Sequence, residues 1–277
     1  MNFQTLLNQA WQDHATQTNA VYENLKTSLQ WLSSAEQIPQ LAHLVLHVFG
    51  EHCGKWTEGI ALLSSFRHSP HFHGESESAA AIKRSILTLE ICAKSRTTVD
   101  DESISDQIRI WAVATSAVVA FDRLDEGEAF FLRSLALAES MNVHLNSQDP
   151  ANRTLAVTGN NLAVTLEEKS SRTAQETELM LMAARTGRKY WEVVGTAGQV
   201  QSAEYRLAMS NLKAGRNQEA LIHANLSVTI GLKNQSSSLD MFFSYEILTL
   251  AEKQNGNESG FKEALVLAKI EFTKLSQ

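Results

Sequence analysis

The chain has 277 residues, 43% of them hydrophobic and 20% charged, with 13 glycines, 3 prolines and a formal net charge of −7. That composition suits one large or two ordinary globular domains with a buried core and excludes a disordered chain. The basic residues are scattered, the densest group being Arg185, Arg188 and Lys189, so a phosphate-binding surface and a nucleic-acid partner are not expected.

The N-terminal MNFQTLLNQAWQDHATQ lacks the basic start and apolar stretch of a secretory signal. Residues 1–35, with Trp11 and Trp31, are predicted to form a capping helix or helix pair. IPQLAHLVLHVF (38–49) and AAAIKRSILTLEICAK (79–94) follow with helical spacing of apolar residues. QIRIWAVATSAVVAF (107–121) holds the longest apolar run, 111–121, flanked by Arg109 and Asp122. It is too short to span a bilayer, so a buried helix and no membrane partner are expected. GEAFFLRSLALAE, TLAVTGNNLAVTLEE, TELMLMAARTG, AEYRLAMSNLKAG, EALIHANLSVTIG, DMFFSYEILTLAEK and FKEALVLAKI complete the helical series. Breakers are read at Pro39, Gly54, Ser69-Pro70, Thr97 to Asp101, Asp149-Pro150, Gly187, Gly215, Gly231 and Asn255-Gly256. No segment reads as a strand, and few prolines and glycines leave few turns for a β protein. The expected class is all-α. Cys53 and Cys92 are the only cysteines and suggest no disulfide framework; a cytoplasmic protein is expected.

Helix starts share a phrase: GKWTEGI (54–60), GRNQEAL (215–221) and SGFKEAL (259–265), with DRLDEGEA (122–129) looser. A turn residue, then usually a bulky one, then an acidic and a small residue suit a helical hairpin. Glycine permits the reversal, Trp56 or Phe261 plugs the junction, and Gly59, Ala220 or Ala264 allows close approach. Gly127, Ala174, Ala220 and Ala264 form a ladder spaced by 47, 46 and 44 residues, and Met141, Gly187 and Gly231, read as helix ends, one spaced by 46 and 44.

These phrases resemble tetratricopeptide repeats over roughly residues 36–275, with Trp56 at the aromatic and Gly59 at the small position of the inter-helix turn. In NNLAVTLEE, Leu162 and Ala163 resemble the Leu-small pair of a first helix. The period is similar to that of the long-helix variety in bacterial regulators and motor-protein light chains. Asn217 departs from the aromatic position, no glycine precedes Ala174, and the 68-residue interval from Gly59 to Gly127 fits no whole number of repeats. The resemblance implies a right-handed α-α superhelix, irregular in its N-terminal third: irregular repeats over 36–103 and regular ones over 104–277.

It also implies a groove lined by first helices that binds a protein or peptide without catalysis. Aligned on their Leu-small pairs, the first helices turn inward Arg109 and Ser116, then Asn160, Asn161, Val164 and Glu168, then Tyr205, Arg206 and Met209, then Tyr245 and Leu248. Arg109, Asn160, Asn161, Tyr205, Arg206 and Tyr245 are the candidate contacts: amides for a peptide backbone, tyrosines to anchor, arginines for a carboxylate. A module sensing a peptide or small effector is the first alternative. The second is a metal protein. HLVLHVFGEHC and RHSPHFHGES place six of nine histidines between 43 and 73. His43 and His47, four apart, share a helix face, and His68, His71 and His73 lie in a loop; these five are weak metal candidates, without a recognised ligand spacing. No GxSxG elbow, HExxH or glycine-rich phosphate loop is present. Asp100-Asp101-Glu102 reads as a helix-start charge cluster and Glu167-Glu168 as a solvated helix end. No enzyme activity and no cofactor are expected.

Overall fold

The computed structural model describes residues 2–74, 76–140 and 147–275. Among them the chain is helical throughout, with no strand and with consecutive helices packed in adjacent pairs, as in an α-solenoid. It divides into two compact units, Met1–Asn142 and Val143–Gln277.

The first unit carries α1 (Phe3–Asp13), α2 (Thr18–Leu25), α3 (Gln37–Val45), α4 (Trp56–Ser65), α5 (Glu77–Cys92), α6 (Ile104–Val119) and α7 (Leu124–Ser140). The N-terminal residues form a helical pair. Between α3 and α4, Leu46–His52 continues as a π-helix, so this third of the chain is irregular, as its sequence suggests. Helix α5 is apolar on two faces because two cores meet on it. Ile82, Ile86 and Leu89 join Leu7, Leu25, Leu41, Phe49 and Phe66 on one side. Leu87, Ile91 and Cys92 join Val99, Ile110, Trp111 and Val118 on the other. Trp56 does plug a junction: its indole N–H donates to the Gly50 carbonyl at 3.1 Å, and its ring meets Phe121 and the Arg123 guanidinium.

The second unit is a run of long helices: α8 (Pro150–Glu167), α9 (Ala174–Val194), α10 (Ala197–Lys213), α11 (Asn217–Lys233), α12 (Ser238–Gln254) and α13 (Glu258–Lys274). Each packs on its neighbour in sequence, and α10 also packs on both α8 and α12. Its cores are built on small residues, Ala208, Ala224 and Ala251 around Ile247 in one place. Local chemistry sets the starts. Asp149, Thr173, Thr196, Ser237 and Asn257 each accept an otherwise unpaired backbone N–H, and Thr173 with Glu176 and Thr196 with Gln199 complete capping boxes.

The hairpin turns repeat in atomic detail. Asp122, Gly215 and Gly256 adopt left-handed backbone, with φ of 56°, 72° and 73°. In each, the next amide donates to the carbonyl five residues back: Arg123 to Val118, Arg216 to Asn211 and Asn257 to Glu252. These are Schellman caps, which end one helix and aim the chain into its partner.

The small-residue ladder holds in part. Gly127 and Ala220 are buried fourth residues of α7 and α11. Ala174 is instead the exposed first residue of α9. Ala264 is buried but lies a turn deeper in α13 than Ala220 in α11, because Gly256, not the SGFKEAL glycine, makes the reversal. Gly187 and Gly231 do not end helices: α9 runs to Val194 and α11 to Lys233. They lie where backbones or side chains crowd, so helix contacts override their low helix propensity. Met141 lies outside the described residues.

Candidate functional site

Two clefts lie on the face of the second unit formed by α8, α10 and α12. The first, about 290 Å³, is lined by Asn160 from α8, by Gln201, Ser202, Tyr205 and Arg206 from α10, and by Phe243 and Ser244 from α12, among others. The second, about 430 Å³, is lined by Glu167, Glu168, Lys169, Arg172, Met209 and Lys213, and shares Arg206 with the first. Helical geometry explains the set. Tyr205 and Arg206 are neighbours on α10, and Met209 and Lys213 lie one and two turns along the same face.

Polar side chains tie these helices together beneath the clefts. Glu167 is only 5% exposed and binds Arg206 and Ser210 of α10. Burial pushes its carboxyl above the usual range, with Arg206 and Ser210 opposing. The expectation of a solvated Glu167 is therefore corrected: the α8 terminus is covered by α10, and only Glu168 remains exposed. Gln201 donates to Ser244 at 2.9 Å and accepts from Ser236 at 2.6 Å, joining α10, α12 and the turn before it. Glu204 takes Arg188 of α9 at 2.5 Å and His223 of α11 at 2.7 Å. Burial raises its carboxyl, but the bonds from His223 and Arg188 outweigh this and hold it below the ordinary value.

Of the six candidate contacts, Asn160, Tyr205 and Arg206 meet at the first cleft. Asn161 is exposed beside Asn160, whose amide lies 3.4 Å from it. Arg109 is on α6 of the first unit, bonded to Asp106 at 3.2 Å. Tyr245 is a correction. It is 7% exposed and packs with Val228, Met241 and Ala268, because its α12 position turns toward α13, where apolar area is buried. Phe243 moves the opposite way: the adjacent aromatic pair Phe242-Phe243 on a helix reads in sequence as core, yet Phe243 is 43% exposed on the rim of the first cleft. Its ring lies 6.0 Å from that of Tyr205. Sequence reading missed it because an aromatic pair on a helix reads as packing, and only the neighbouring helix decides which ring is covered.

The histidines also rearrange. His68 and His73 are exposed and His71 half-buried in the loop. His43 is exposed, its ring packed on Trp11. The ring of His47 gathers with those of His52 and of His14, which the sequence did not mark.

No protein-family model matches the chain, and no curated protein matches its sequence. Among solved structures it is similar to BtubC (BKLC) from P. vanneervenii, at 15% identity, with a TM-score of 0.53 and 92% of each chain covered. The fold is that of a helical-repeat protein. At that identity the likeness speaks for architecture alone. No helix among the described residues is long and apolar enough to cross a membrane.

The environment lowers the reactivity of both thiols. Cys92 is fully buried and burial pushes its thiol up to about 12; Cys53, half-buried, is also raised by burial. With a thiol-disulfide reagent at pH 8, native protein should label slowly at Cys53 and not at Cys92, whereas guanidinium should release both. Two rapidly labelled thiols in the native state would contradict this burial.

Proposed function

We propose that the second unit is a non-enzymatic docking module that holds an extended peptide segment of a partner protein along α8, α10 and α12, as tetratricopeptide-like repeats do. The observation that carries this reading is the pair of clefts joined at Arg206. The first offers the Asn160 amide and Ser202 hydroxyl beside two aromatic rings, Tyr205 and exposed Phe243. The second is lined by Lys169, Arg172, Arg206 and Lys213 with Glu167 and Glu168; Lys169 is paired with Glu176 and Arg172 donates to the carbonyls that end α8. Glu167 is already engaged by Arg206, and Lys213 is exposed. An aromatic or aliphatic side chain suits the first cleft, and an acidic residue or C-terminal carboxylate suits the second. Hydroxyl and carboxylate groups along this face bond mainly to one another across helices, which suits a rigid scaffold better than acid–base chemistry.

Display selection of random peptides on the full-length chain tests the reading. Enriched peptides should pair an apolar residue with an acidic one or a free C-terminus. Each should lose about tenfold or more in affinity to Phe243→Ala and to Lys213→Glu, with the helical circular dichroism unchanged. Selected peptides that bind both variants as tightly as the parent would remove this face as the docking site.

A further inference from the structure

The structure assigns a metal site to the first unit: we propose that His14, His47 and His52 bind one divalent transition-metal ion of the zinc class through three imidazole nitrogens, with water completing the coordination. One nitrogen from each ring lies within 4.8 Å of the others, and all three residues are part-buried, not sealed. The ring centroids are 5.0 Å apart for His14–His47 and His14–His52, and 4.7 Å for His47–His52.

The backbone that makes this possible is unusual. On an α-helix, residues five apart sit about 140° from one another, so His47 and His52 would face different ways. Leu46–His52 is a π-helix, ended by the Cys53 amide donating to the Val48 carbonyl at 2.9 Å. This widened turn brings positions i and i+5 onto one face. The His47 and His52 Nε2 atoms are 3.1 Å apart. Two nitrogens on a tetrahedral zinc at the usual bond length of about 2.0–2.1 Å are separated by about 3.3–3.4 Å, and on an octahedral ion by about 2.9 Å. The observed spacing falls between the two.

Outer partners orient the rings as ligands. His14 Nδ1 lies 2.7 Å from the Trp11 carbonyl and His47 Nδ1 lies 3.2 Å from Glu51 Oε1. A proton on His14 Nδ1 would satisfy the Trp11 carbonyl, and the Glu51 carboxylate beside His47 favours a proton on the Nδ1 of that ring; each then keeps its Nε2 lone pair for a metal, the arrangement that supports histidine ligands in protein metal sites. All-imidazole donors with an accessible fourth position suit Zn(II), Cu(II), Ni(II) or Co(II) rather than Ca(II) or Mg(II), which take oxygen ligands. The ion would clip the end of α1 to the π-helix.

The test uses the full-length chain stripped with a chelator and titrated with Co(II), followed by Zn(II) displacement. The expected result is one Co(II) per chain, a visible ligand-field spectrum of nitrogen coordination, and a rise in thermal midpoint with Zn(II). His14→Gln and His52→Gln should each weaken binding at least tenfold. Glu51→Gln should weaken it less, and the triple variant His68→Ala, His71→Ala, His73→Ala should leave it unchanged. His14→Gln, at the C-terminal end of α1 and outside the π-helix, keeps the test informative if substitutions in the π-helix disturb folding. No stoichiometric binding would overturn the proposal, as would binding that survives both Gln variants or vanishes in the loop triple. In the first case the contact is a plain His–His hydrogen bond.

Discussion

Arg206→Met should lower the stability of the second unit by about 3 kcal/mol at pH 8, because it strands the Glu167 carboxylate at 5% exposure with only Ser210 as a side-chain partner, at 2.5 Å. The loss should shrink as pH falls. Glu167 is already raised above the ordinary carboxylate value by burial, and removing Arg206 raises it further. The penalty is therefore fully present above the variant's higher pKa. It disappears as the carboxyl protonates on the acid side, since the neutral form no longer needs the guanidinium. Urea denaturation at pH 8 and pH 5 measures both quantities. Glu167→Met combined with Arg206→Met should recover most of the loss, because two apolar side chains leave no charge to compensate. A pH-independent deficit, or one below about 1 kcal/mol at pH 8, would show that the pair is hydrated and energetically idle.

Gly159→Val should cost the second unit about 3 kcal/mol, and Gly159→Ala about 2 kcal/mol after its gain in helix propensity of ~1 kcal/mol is counted. A Cβ at Gly159 would stand 2.5 Å from the Gly187 amide nitrogen and 2.6 Å from the Ala183 carbonyl oxygen. Those are backbone atoms of α9, so relief requires moving a helix rather than turning a side chain. The reciprocal change, Gly187→Ala, meets its nearest atom at 3.0 Å and should be milder. Gly198→Ala, in the first turn of α10 with only the Thr196 hydroxyl at 3.9 Å, should be neutral or slightly stabilising. Denaturation midpoints rank the four, and amide exchange along α8 and α9 locates the damage. Equal effects at Gly159 and Gly198 would mean that α8 and α9 are not in close contact.

These two sites show how unevenly the chain disclosed itself. The turn residues were legible, since Gly215 and Gly256 are cheap in left-handed backbone whatever surrounds them. The roles of Gly187 and Ala174 were not. A glycine inside a helix and a glycine ending one look alike in sequence, and the ladder through Ala174 mistook a helix start for a crossing. Likewise Asn160, Tyr205 and Arg206 were placed on a shared face by the resemblance to tetratricopeptide repeats, whereas Tyr245 and Phe243 exchanged core and surface because α13 covers one side of α12.

By itself, then, the sequence determined the helices, most of their caps and the reversals between them, because those depend on φ preferences, nearby hydrogen bonds and the 3.6-residue period, all confined to a few neighbouring residues. Tertiary packing decided which polar groups are buried, as with Glu167 under Arg206, and which distant side chains meet, as with His14 beside His47 and His52 across a widened turn. Both outcomes turn on solvent exclusion and on distances between segments far apart in the chain, which no local pattern encodes.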